Sequence, residues 1–199
     1  RAQQFASRYG ARSWGEDYMP FLFDKAIQIV IIATYADTLN AHFAIETGPE
    51  PADRLKAFLD DVNSKGFGVN MDPANLVMCT GTDPVAAVYT LGDYIVHTHA
   101  KDGIMLRKTD PEIIYEHFAT GGIEALNVAD YFLETPLGEG KVDFKAYIAA
   151  LKAAGYDGYV SYEFEGMEDN LAGHIKNADT IFKQNGALQP TIVEMMAGI

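Results

Sequence analysis

Short apolar segments alternate with longer amphipathic segments along most of this chain of 199 residues. The apolar segments have the length and the flanking turn residues of β-strands, and the amphipathic segments have helical periodicity. This alternation predicts an α/β architecture with a parallel sheet, made of four strand–helix units. The predicted strands cover Ala41–Glu46, Phe67–Asp72, Tyr94–His99 and Gly158–Glu163.

Helices are predicted between and around these strands. Asp83 followed by Pro84 is typical of a helix N-terminus, and Gly155 suits the position just beyond a helix C-terminus. No linker or low-complexity tract divides the chain, so we predict a single domain over residues 1–199. The predicted helices cover Tyr18–Leu39, Pro51–Lys65, Asp83–Leu91, Asp143–Ala154 and Asp169–Gln184.

Three segments lack a clear strand or helix pattern. Residues 1–17 show no strand. Lys101–Lys141 is interpreted as a long loop, and loops of this length often serve as lids or substrate walls. Leu188–Ile199 is interpreted as irregular chain or a loosely packed helix.

Each predicted strand has one mainly apolar face and one face that ends in a polar residue able to bind a metal. In the first strand Phe43 and Ile45 share the apolar face, because side chains alternate between the two faces of a strand. In parallel α/β folds, sites are built at the carboxyl ends of the strands. The polar residues at these ends are Glu46, Asp72, His99 and Glu163.

The spacing of the four polar residues supports a common site. Glu46 and Asp72 are 26 positions apart and Asp72 and His99 are 27 apart, and each interval is close to one strand–helix–strand repeat of roughly 30 residues. The predicted long loop accounts for the larger separation between His99 and Glu163. Three carboxylates and one imidazole suit one divalent metal ion, with Mn²⁺, Mg²⁺ or Co²⁺ favoured and Zn²⁺ as an alternative.

Each of the four residues has an ordinary structural explanation when taken alone. A glutamate at a strand end is usually a solvated loop residue or a helix cap, and an aspartate before proline, as at Asp72, is common in turns. A histidine on a strand is more often a hydrogen-bonded core residue than a ligand. Four such residues in register on consecutive strands are hard to explain as independent accidents, so the metal site is favoured.

Composition and charge exclude several classes of function. The formal net charge of −13 argues against a nucleic-acid partner, because affinity for nucleic acid depends on phosphate neutralisation by Lys and Arg. A single cysteine is too few for a disulfide framework or a cysteine-based zinc site. The apolar run Ile27–Tyr35 is too short and too polar to span a bilayer.

We expect a cytoplasmic protein with no membrane partner. We also expect that its N-terminus at Arg1 is processed, trimmed or not the natural start.

Further polar residues lie near the predicted strand ends. His97 lies one layer below the metal-competent histidine and is interpreted as a core residue, with support of a ligand as the alternative. Glu165 shares a face with Glu163 and is an alternative ligand. Lys101 is a candidate for binding a substrate oxygen or phosphate, and Arg107 is a weaker candidate for the same role.

A last group of residues is expected to be structural. Gly138 and Gly140 would shape a turn, and His42 would face inward at a deep position. Cys79 would be a small buried hydrophobic residue. Asp102 fits a solvated position in the predicted loop.

Several runs of residues, in this order, resemble the signatures of one family. Gly68–Leu76, with the sequence GVNMDPANL, resembles the strand-six signature of the sugar phosphate isomerase/epimerase family, the xylose isomerase-like TIM barrels. Ile95–Gly103, with the sequence IVHTHAKDG, resembles the strand-seven signature, and Ala44–Glu46 resembles strand five. Pro136–Phe144 resembles the segment that opens helix seven, and Gly155–Glu163 resembles the run into strand eight.

The resemblance implies an α/β fold of the (β/α) TIM-barrel type, of which only strands five to eight, the C-terminal half, are recognisable. By position, Glu46, Asp72, His99 and Glu163 would be the metal ligands, and the two glutamates would also form the acid/base pair. The implied function is that of a metal-dependent sugar isomerase or epimerase, which acts on a ketose or related hydroxy-ketone by proton transfer through an enediolate.

Alternatives on the same scaffold stay open. One is a dehydratase or keto-enol isomerase, similar to inosose dehydratase or hydroxypyruvate isomerase. Another is a truncated relative that binds a metal or a sugar without catalysis. A family-related apurinic endonuclease is disfavoured, because it would need more metal ligands and a basic face.

Two departures from the family pattern change the expectations. Many relatives carry a histidine three residues after the strand-six aspartate, where this chain has Asn75. An amide is a poor base, so Asn75 is expected to hydrogen-bond substrate or a metal-bound water. The chain also lacks a recognisable first half of the barrel. Because half a barrel leaves open strand edges, a homo-oligomer is expected.

Overall fold

The computed structural model describes residues 36–119, 127–164, 171–185 and 192–195. Of the predicted first helix, only the end from Ala36 onward falls within these residues. The strands are β1 Phe43–Glu46, β2 Phe67–Met71, β3 Ile95–Ala100, β4 Asp102–Met105, β5 Phe132–Thr135, β6 Val160–Phe164 and β7 Ile192–Met195. The helices are α1 Ala52–Val62, α2 Pro73–Asn75, α3 Pro84–Leu91, α4 Pro111–Ala119, α5 Phe144–Ala153 and α6 Leu171–Gln184. A π-helical turn covers Leu76–Thr80, and 3₁₀ turns cover Gly92–Tyr94 and Val128–Asp130.

Five strands form one parallel sheet in the order β1-β2-β3-β6-β7. The register places Glu46 opposite Asn70 and His99 opposite Ser161. Each of the four strands predicted from the sequence lies within two residues of its predicted bounds. The predicted α/β class with a parallel sheet is therefore confirmed.

Local side-chain and backbone chemistry explains where the helices begin and end. Asp83 accepts a hydrogen bond from the Val85 amide at 3.0 Å, which satisfies a donor that has no partner within α3. Helix α1 ends at Val62 rather than at the predicted Lys65. The reason is that Asn63 takes a left-handed φ of 47°, a conformation that ends the helical repeat.

Helices α1, α3 and α5 pack side by side and form the main core with the sheet. Their apolar side chains meet the apolar strand faces that the alternation of residues predicted. The opposite face of the sheet is thereby left for polar side chains. The core includes Leu55, Leu59, Val69, Met71, Val88, Leu91, Ile148, Leu151 and Val160.

The segment predicted as a long loop, Lys101–Lys141, contains regular structure, so that prediction is wrong. Strands β4 and β5 form an antiparallel pair, with Asp102 opposite Thr135 and Met105 opposite Phe132. Helix α4 lies between them in the chain. Each strand has only four residues, and the two pair across an intervening helix. The short strands therefore lack the nearby turn that marks a hairpin in a sequence.

The tail also contains a strand that the sequence analysis missed. Within the described residues 192–195, β7 pairs in parallel with β6, with Ser161 opposite Ile192 and Phe164 opposite Met195. The interpretation of this stretch as irregular chain or loose helix is wrong. The pairing supplies main-chain hydrogen bonds to the edge of β6, which the tail sequence alone does not reveal.

Asp102 anchors the β4–β5 pair to the segment before α5. Its buried carboxylate accepts hydrogen bonds from the amides of Gly138 and Gly140 at 2.9 and 3.0 Å, and from those of Gly103 and Val142 at 2.8 and 3.1 Å. A Cβ at Gly140 would lie 2.1 Å from Asp102 Oδ1, so this approach requires glycine. The interpretation of Asp102 as a solvated loop residue is wrong, whereas Gly138 does lie in a turn, with a φ of +86°.

No helix within the described ranges is both long enough and apolar enough to cross a membrane.

We expect Asp102→Asn to lower the free energy of unfolding by about 3 kcal/mol. Hydrogen bonds to a charged acceptor contribute about 1.5–3 kcal/mol each, and a buried donor left unpaired costs about 1–3 kcal/mol. Urea unfolding followed by circular dichroism measures the change. Asp143→Asn is the matched control, because Asp143 accepts the Ala146 amide at an exposed helix start and asparagine caps helices about as well. Equal stability of the two variants would contradict the anchoring role.

Candidate metal centre

Four polar side chains meet at the carboxyl edge of the sheet. Each offers one ligand atom, and these atoms all lie within 4.8 Å of one another. Three of the side chains are buried and one lies on the solvent side. The structure thus brings together all four residues that the sequence placed in one site: Glu46, Asp72, His99 and Glu163.

Asp72 takes part in the cluster and in the local fold. Its Oδ1 accepts a hydrogen bond from the Asn75 amide at 2.8 Å and so begins α2. Its Oδ2 lies 3.2 Å from His99 Nδ1. Because one carboxylate makes both contacts, the start of α2 fixes the direction from which Asp72 enters the site.

Thr47 joins the end of β1 to the end of β2. Its hydroxyl accepts a hydrogen bond from the Asp72 amide at 2.8 Å and donates one to the Asp72 carbonyl at 2.9 Å. Thr47 was not among the site residues predicted from the sequence. The signal was a polar residue directly after a candidate ligand at a strand end.

His99 and Glu163 form the buried centre of the cluster, with His99 Nδ1 2.5 Å from Glu163 Oε2. Burial alone would lower the pKa of His99, but hydrogen bonds and charges from Asp72 and Glu163 outweigh burial and raise the pKa to about 10. Burial would likewise raise the pKa of Glu163, but His99 and Lys101 lower it to about 2. The carboxylates therefore favour positive charge at the position of Nδ1.

Lys101 is a buried cation in this structure. Its Nζ lies 3.0 Å from Glu163 Oε1 and 3.4 Å from Glu134 Oε2. Little water screens these charges, so the ammonium offsets the negative charge of the cluster directly. Glu134 was missed by the sequence analysis, because it lies on β5 within the predicted loop. The proposed contact of Lys101 with substrate stays a prediction.

Two asparagine amides lie against the carboxylate of Glu46. Asn75 Nδ2 donates to Glu46 Oε1 at 2.7 Å and to the Thr47 carbonyl at 3.2 Å. Asn70 Nδ2 lies 3.5 Å from Glu46 Oε2. Asn75 thus orients a candidate ligand, and its expected contact with substrate stays a prediction. Asn70 was missed, although it shares the inward face of β2 with Asp72.

The electrostatic environment of Glu46 differs from that of Glu163. Partial removal of the Glu46 carboxylate from water raises its pKa to about 7. The charges of Asp72 and Glu163 add to this rise, and those of His99 and Lys101 oppose it. The two glutamates of the cluster therefore hold a proton over very different ranges of pH.

Two other histidines lie near the strands. His97 Nε2 lies 2.8 Å from Ser161 Oγ, and the His97 ring meets the His99 ring edge-on with 5.7 Å between centroids. This placement agrees with a structural role that supports His99. His42 is exposed rather than deep, because β1 begins at Phe43 and leaves His42 outside the strand.

Of the remaining candidate residues, those that the structure describes lie outside the cluster. Arg107 is exposed, and its guanidinium lies 4.1 Å from the centroid of the Tyr131 ring, a cation–π contact that accounts for its position. Glu165 lies outside the described residues. Cys79 is buried, as expected.

Tyr115 on α4 was also missed, because α4 lies in the predicted loop. The phenol packs directly on the chain after β1, where a Cβ at Gly48 would lie 2.1 Å from Tyr115 Oη. The ring also packs against a small apolar cluster of Ala74, Met78 and Cys79. Burial raises the pKa of Tyr115, so the phenol keeps its proton at neutral pH. Helix α4 therefore contributes a wall next to the end of β1.

The charges and distances of the cluster fit a divalent cation. The three ionised carboxylates of the cluster, Glu134 and the ammonium of Lys101 together leave three negative charges when His99 is neutral. Carboxylate oxygens are the preferred ligands of hard divalent ions, and one imidazole nitrogen is compatible with several of them. Ligands on opposite sides of Mg²⁺ are roughly 4.2 Å apart, so ligand atoms already within 4.8 Å of one another need only small movements.

Known proteins with similar sequences and structures place this chain in a family. The model of the xylose isomerase-like TIM barrel family matches residues 26–185. The uncharacterized protein YfiH of Bacillus subtilis (strain 168) is 28% identical over 123 residues, which cover 59% of this chain and 37% of that protein. The crystal structure of a xylose isomerase domain protein from Planctomyces limnophilus is 26% identical, with a TM-score of 0.59 over 78% of this chain and 50% of that one.

The chain spans half or less of the length of each of these two relatives. The family match nevertheless covers most of the chain, and the parallel sheet with its outer helices agrees with the fold that the resemblance implied. The chain belongs to the xylose isomerase-like TIM barrel family, whose members are typically enzymes of the sugar isomerase/epimerase type.

Proposed function

We propose that this chain binds one divalent metal ion through Glu46, Asp72, His99 and Glu163 and acts as an isomerase or epimerase on a ketose or related hydroxy-ketone. The observation that carries the proposal is the convergence of the four ligand atoms within 4.8 Å at the carboxyl edge of the sheet. The carboxylate-rich ligand set favours Mn²⁺, Mg²⁺ or Co²⁺ over Zn²⁺.

A divalent ion in this position would act as a Lewis acid on the carbonyl and the adjacent hydroxyl of a substrate. The two glutamates of the cluster enter from β1 and β6, with β2 and β3 between them in the sheet. They therefore reach the cluster from the strands on either side of those that carry Asp72 and His99. One carboxylate would take the proton from the carbon next to the carbonyl, which leaves the substrate as an enediolate. The other would return a proton to the opposite face and invert the centre.

The neighbours of the two glutamates support different tasks. Glu46 lies on the solvent side, where a substrate can approach, and the amide of Asn75 fixes its direction. Glu163 is buried, and the contacts with His99 and Lys101 keep it in the ionised form. This contrast suits a pair in which the ionised Glu163 takes the proton and Glu46, whose pKa is about 7, holds the proton that is returned.

Several expectations from the sequence remain part of this proposal. They concern substrate contacts by Lys101, Arg107, Asn75 and Glu165, a homo-oligomeric state and a cytoplasmic location. A small sugar-like substrate agrees with the net charge of −13, which does not suit a polyanionic partner.

Metal content tests the ligand set. We expect about one divalent ion per chain after purification without chelator, and loss of that ion in His99→Ala, because the variant removes the imidazole ligand. Elemental analysis of the purified proteins measures both. His42→Ala is the matched control, since His42 is exposed and outside the cluster. Equal metal content in the His99 and His42 variants would count against the site.

Metal affinity is expected to rise with pH. Protons compete with the cation for Glu46, whose pKa is about 7, and for His99, whose pKa is about 10. Affinity therefore falls as pH drops below about 7 and continues to increase above it, with release of protons on binding. Calorimetric titration with Mn²⁺ at several pH values, in buffers of different ionisation enthalpy, measures both effects. Affinity that stays constant between pH 6 and pH 8 would contradict this electrostatic account.

Isotope exchange tests the reaction class. With Mn²⁺ and a panel of ketoses in D₂O, we expect deuterium at the carbon next to the carbonyl. The exchange rate is expected to fall by about 10²–10⁴-fold in Glu46→Gln, the usual contribution of a positioned acid or base. Mass spectrometry of the sugars measures the exchange. Loss of water from the sugar would indicate a dehydratase instead, and binding of Mn²⁺ without any exchange would indicate a non-catalytic relative.

A further inference from the structure

The two nitrogens of the His99 ring have different neighbours. Nδ1 faces the carboxylates, at 3.2 Å from Asp72 Oδ2 and 2.5 Å from Glu163 Oε2. Nε2 lies 3.0 Å from Asn70 Nδ2. The position of the carboxylates therefore identifies Nδ1 as the nitrogen that would share a cation with them. Asn70 is a residue in contact with the other nitrogen.

The state of Nε2 decides whether Nδ1 can bind a cation. A neutral ring that binds through Nδ1 carries its proton on Nε2, and that proton needs an acceptor. An amide nitrogen can only donate. When Asn70 Nδ2 faces the ring, it donates to Nε2, so Nε2 must carry no proton. The proton of the neutral ring is then on Nδ1. A cation can bind Nδ1 only when that proton is absent.

The oxygen of the Asn70 amide can supply the acceptor that the Nε2 proton needs. This oxygen, Oδ1, is buried and has no hydrogen-bond partner among the residues that the structure describes. A half-turn of the amide exchanges oxygen and nitrogen and brings Oδ1 to the Nε2 proton. The half-turn also replaces the 3.5 Å contact from Nδ2 to Glu46 Oε2, which is long for a hydrogen bond, by a similarly long contact from Oδ1. Glu46 keeps its 2.7 Å hydrogen bond from Asn75.

We propose that Asn70 is a positioning residue for the metal site, which selects the tautomer of His99 by presenting its amide oxygen to the Nε2 proton. The inference rests on the proposed function, because it concerns the state of His99 that binds a cation. Asn70 is held in place by the sheet, since the register of β2 places it opposite Glu46 on one side and His97 on the other. It acts on the site through His99.

Affinity for Mn²⁺ gives the first test. Asn70→Leu removes the acceptor and keeps a similar side-chain volume. We expect it to weaken Mn²⁺ binding by about 10–100-fold, the usual effect of removing the hydrogen-bond partner of a metal-binding histidine. Calorimetric titration of the 199-residue chain measures the change. The matched control for affinity is Asn177→Leu, because Asn177 is exposed and donates to the Leu137 carbonyl, outside the cluster. Asn75→Leu, which removes an amide from the ligand Glu46, is a control for the His99 tautomer only, because the contact of Asn70 with His99 remains.

Nuclear magnetic resonance of the His99 ring nitrogens gives the second test, with Zn²⁺ as a diamagnetic probe. We expect a proton on Nε2 and zinc on Nδ1 in the wild type, in Asn70→Asp and in Asn75→Leu. In Asn70→Leu the two tautomers should mix. Asn70→Asp keeps an acceptor at the same position. If Asn70→Leu does not fold, the spectrum of Asn70→Asp still tests whether an acceptor at residue 70 keeps the proton on Nε2. The same spectra recorded without metal should show an Nε2 proton that exchanges slowly with water in the wild type and rapidly in Asn70→Leu.

The outcomes separate this inference from the proposed function. If the wild type binds Mn²⁺ and Asn70→Leu binds it equally tightly, the role of Asn70 is overturned while the metal site stands. If the wild type binds no metal but its Nε2 proton is protected only when residue 70 carries an acceptor, the proposed function fails and the contact stands. Zinc on Nε2, or a ring protonated on Nδ1 alone under both conditions, overturns the inference.

Discussion

Repulsion among carboxylates that converge at one edge of the sheet is the constraint on which the rest of the site depends. Asp72 and Glu163 are buried, and Glu46 faces them from β1. Buried carboxylates are strongly unfavourable unless positive charge or hydrogen-bond donors lie close by. The structure supplies both, with His99 and Lys101 as the positive groups and the two asparagine amides beside Glu46 as donors. The resulting cluster is consistent with a site for a divalent cation.

The segment between β4 and α5 is part of this electrostatic arrangement. The carboxylate of Asp102 accepts hydrogen bonds from four main-chain amides. These bonds fix the path of the chain at the start of β4 and after the end of β5. That anchor stands next to Lys101 in the sequence, and the paired strand β5 brings Glu134 to the same ammonium. Helix α4 brings Tyr115 against the end of β1. One buried aspartate therefore connects the packing of an inserted segment to the charge balance of the candidate metal centre.

The sequence predicted the sheet and the cluster because both follow from local rules. The alternation of residues along β1, β2, β3 and β6 separates an apolar face from a polar one, and parallel pairing aligns the strand ends. The other features depend on contacts between distant parts of the chain. Glu134 lies opposite Gly103 only because β4 and β5 pair with each other, although α4 separates them in the chain. The amide of Asn75, which follows β2, contacts Glu46 only because β1 and β2 are neighbours in the sheet. The four-residue strands β4, β5 and β7, unlike the equally short β1, lie outside the regular strand–helix spacing, so they are not recognised without their neighbours.

The position of β7 limits how a closed barrel can form around this site. In a (β/α)₈ barrel the strand that follows strand eight in space is strand one. The resemblance gives β6 the place of strand eight, so β7 lies where strand one would pair. Two copies of a five-stranded sheet, joined edge to edge, exceed the eight strands of a closed barrel. Any symmetric closure of that kind therefore requires β7 to leave β6. If β7 stays paired, two copies of this sheet cannot close into a barrel of eight strands.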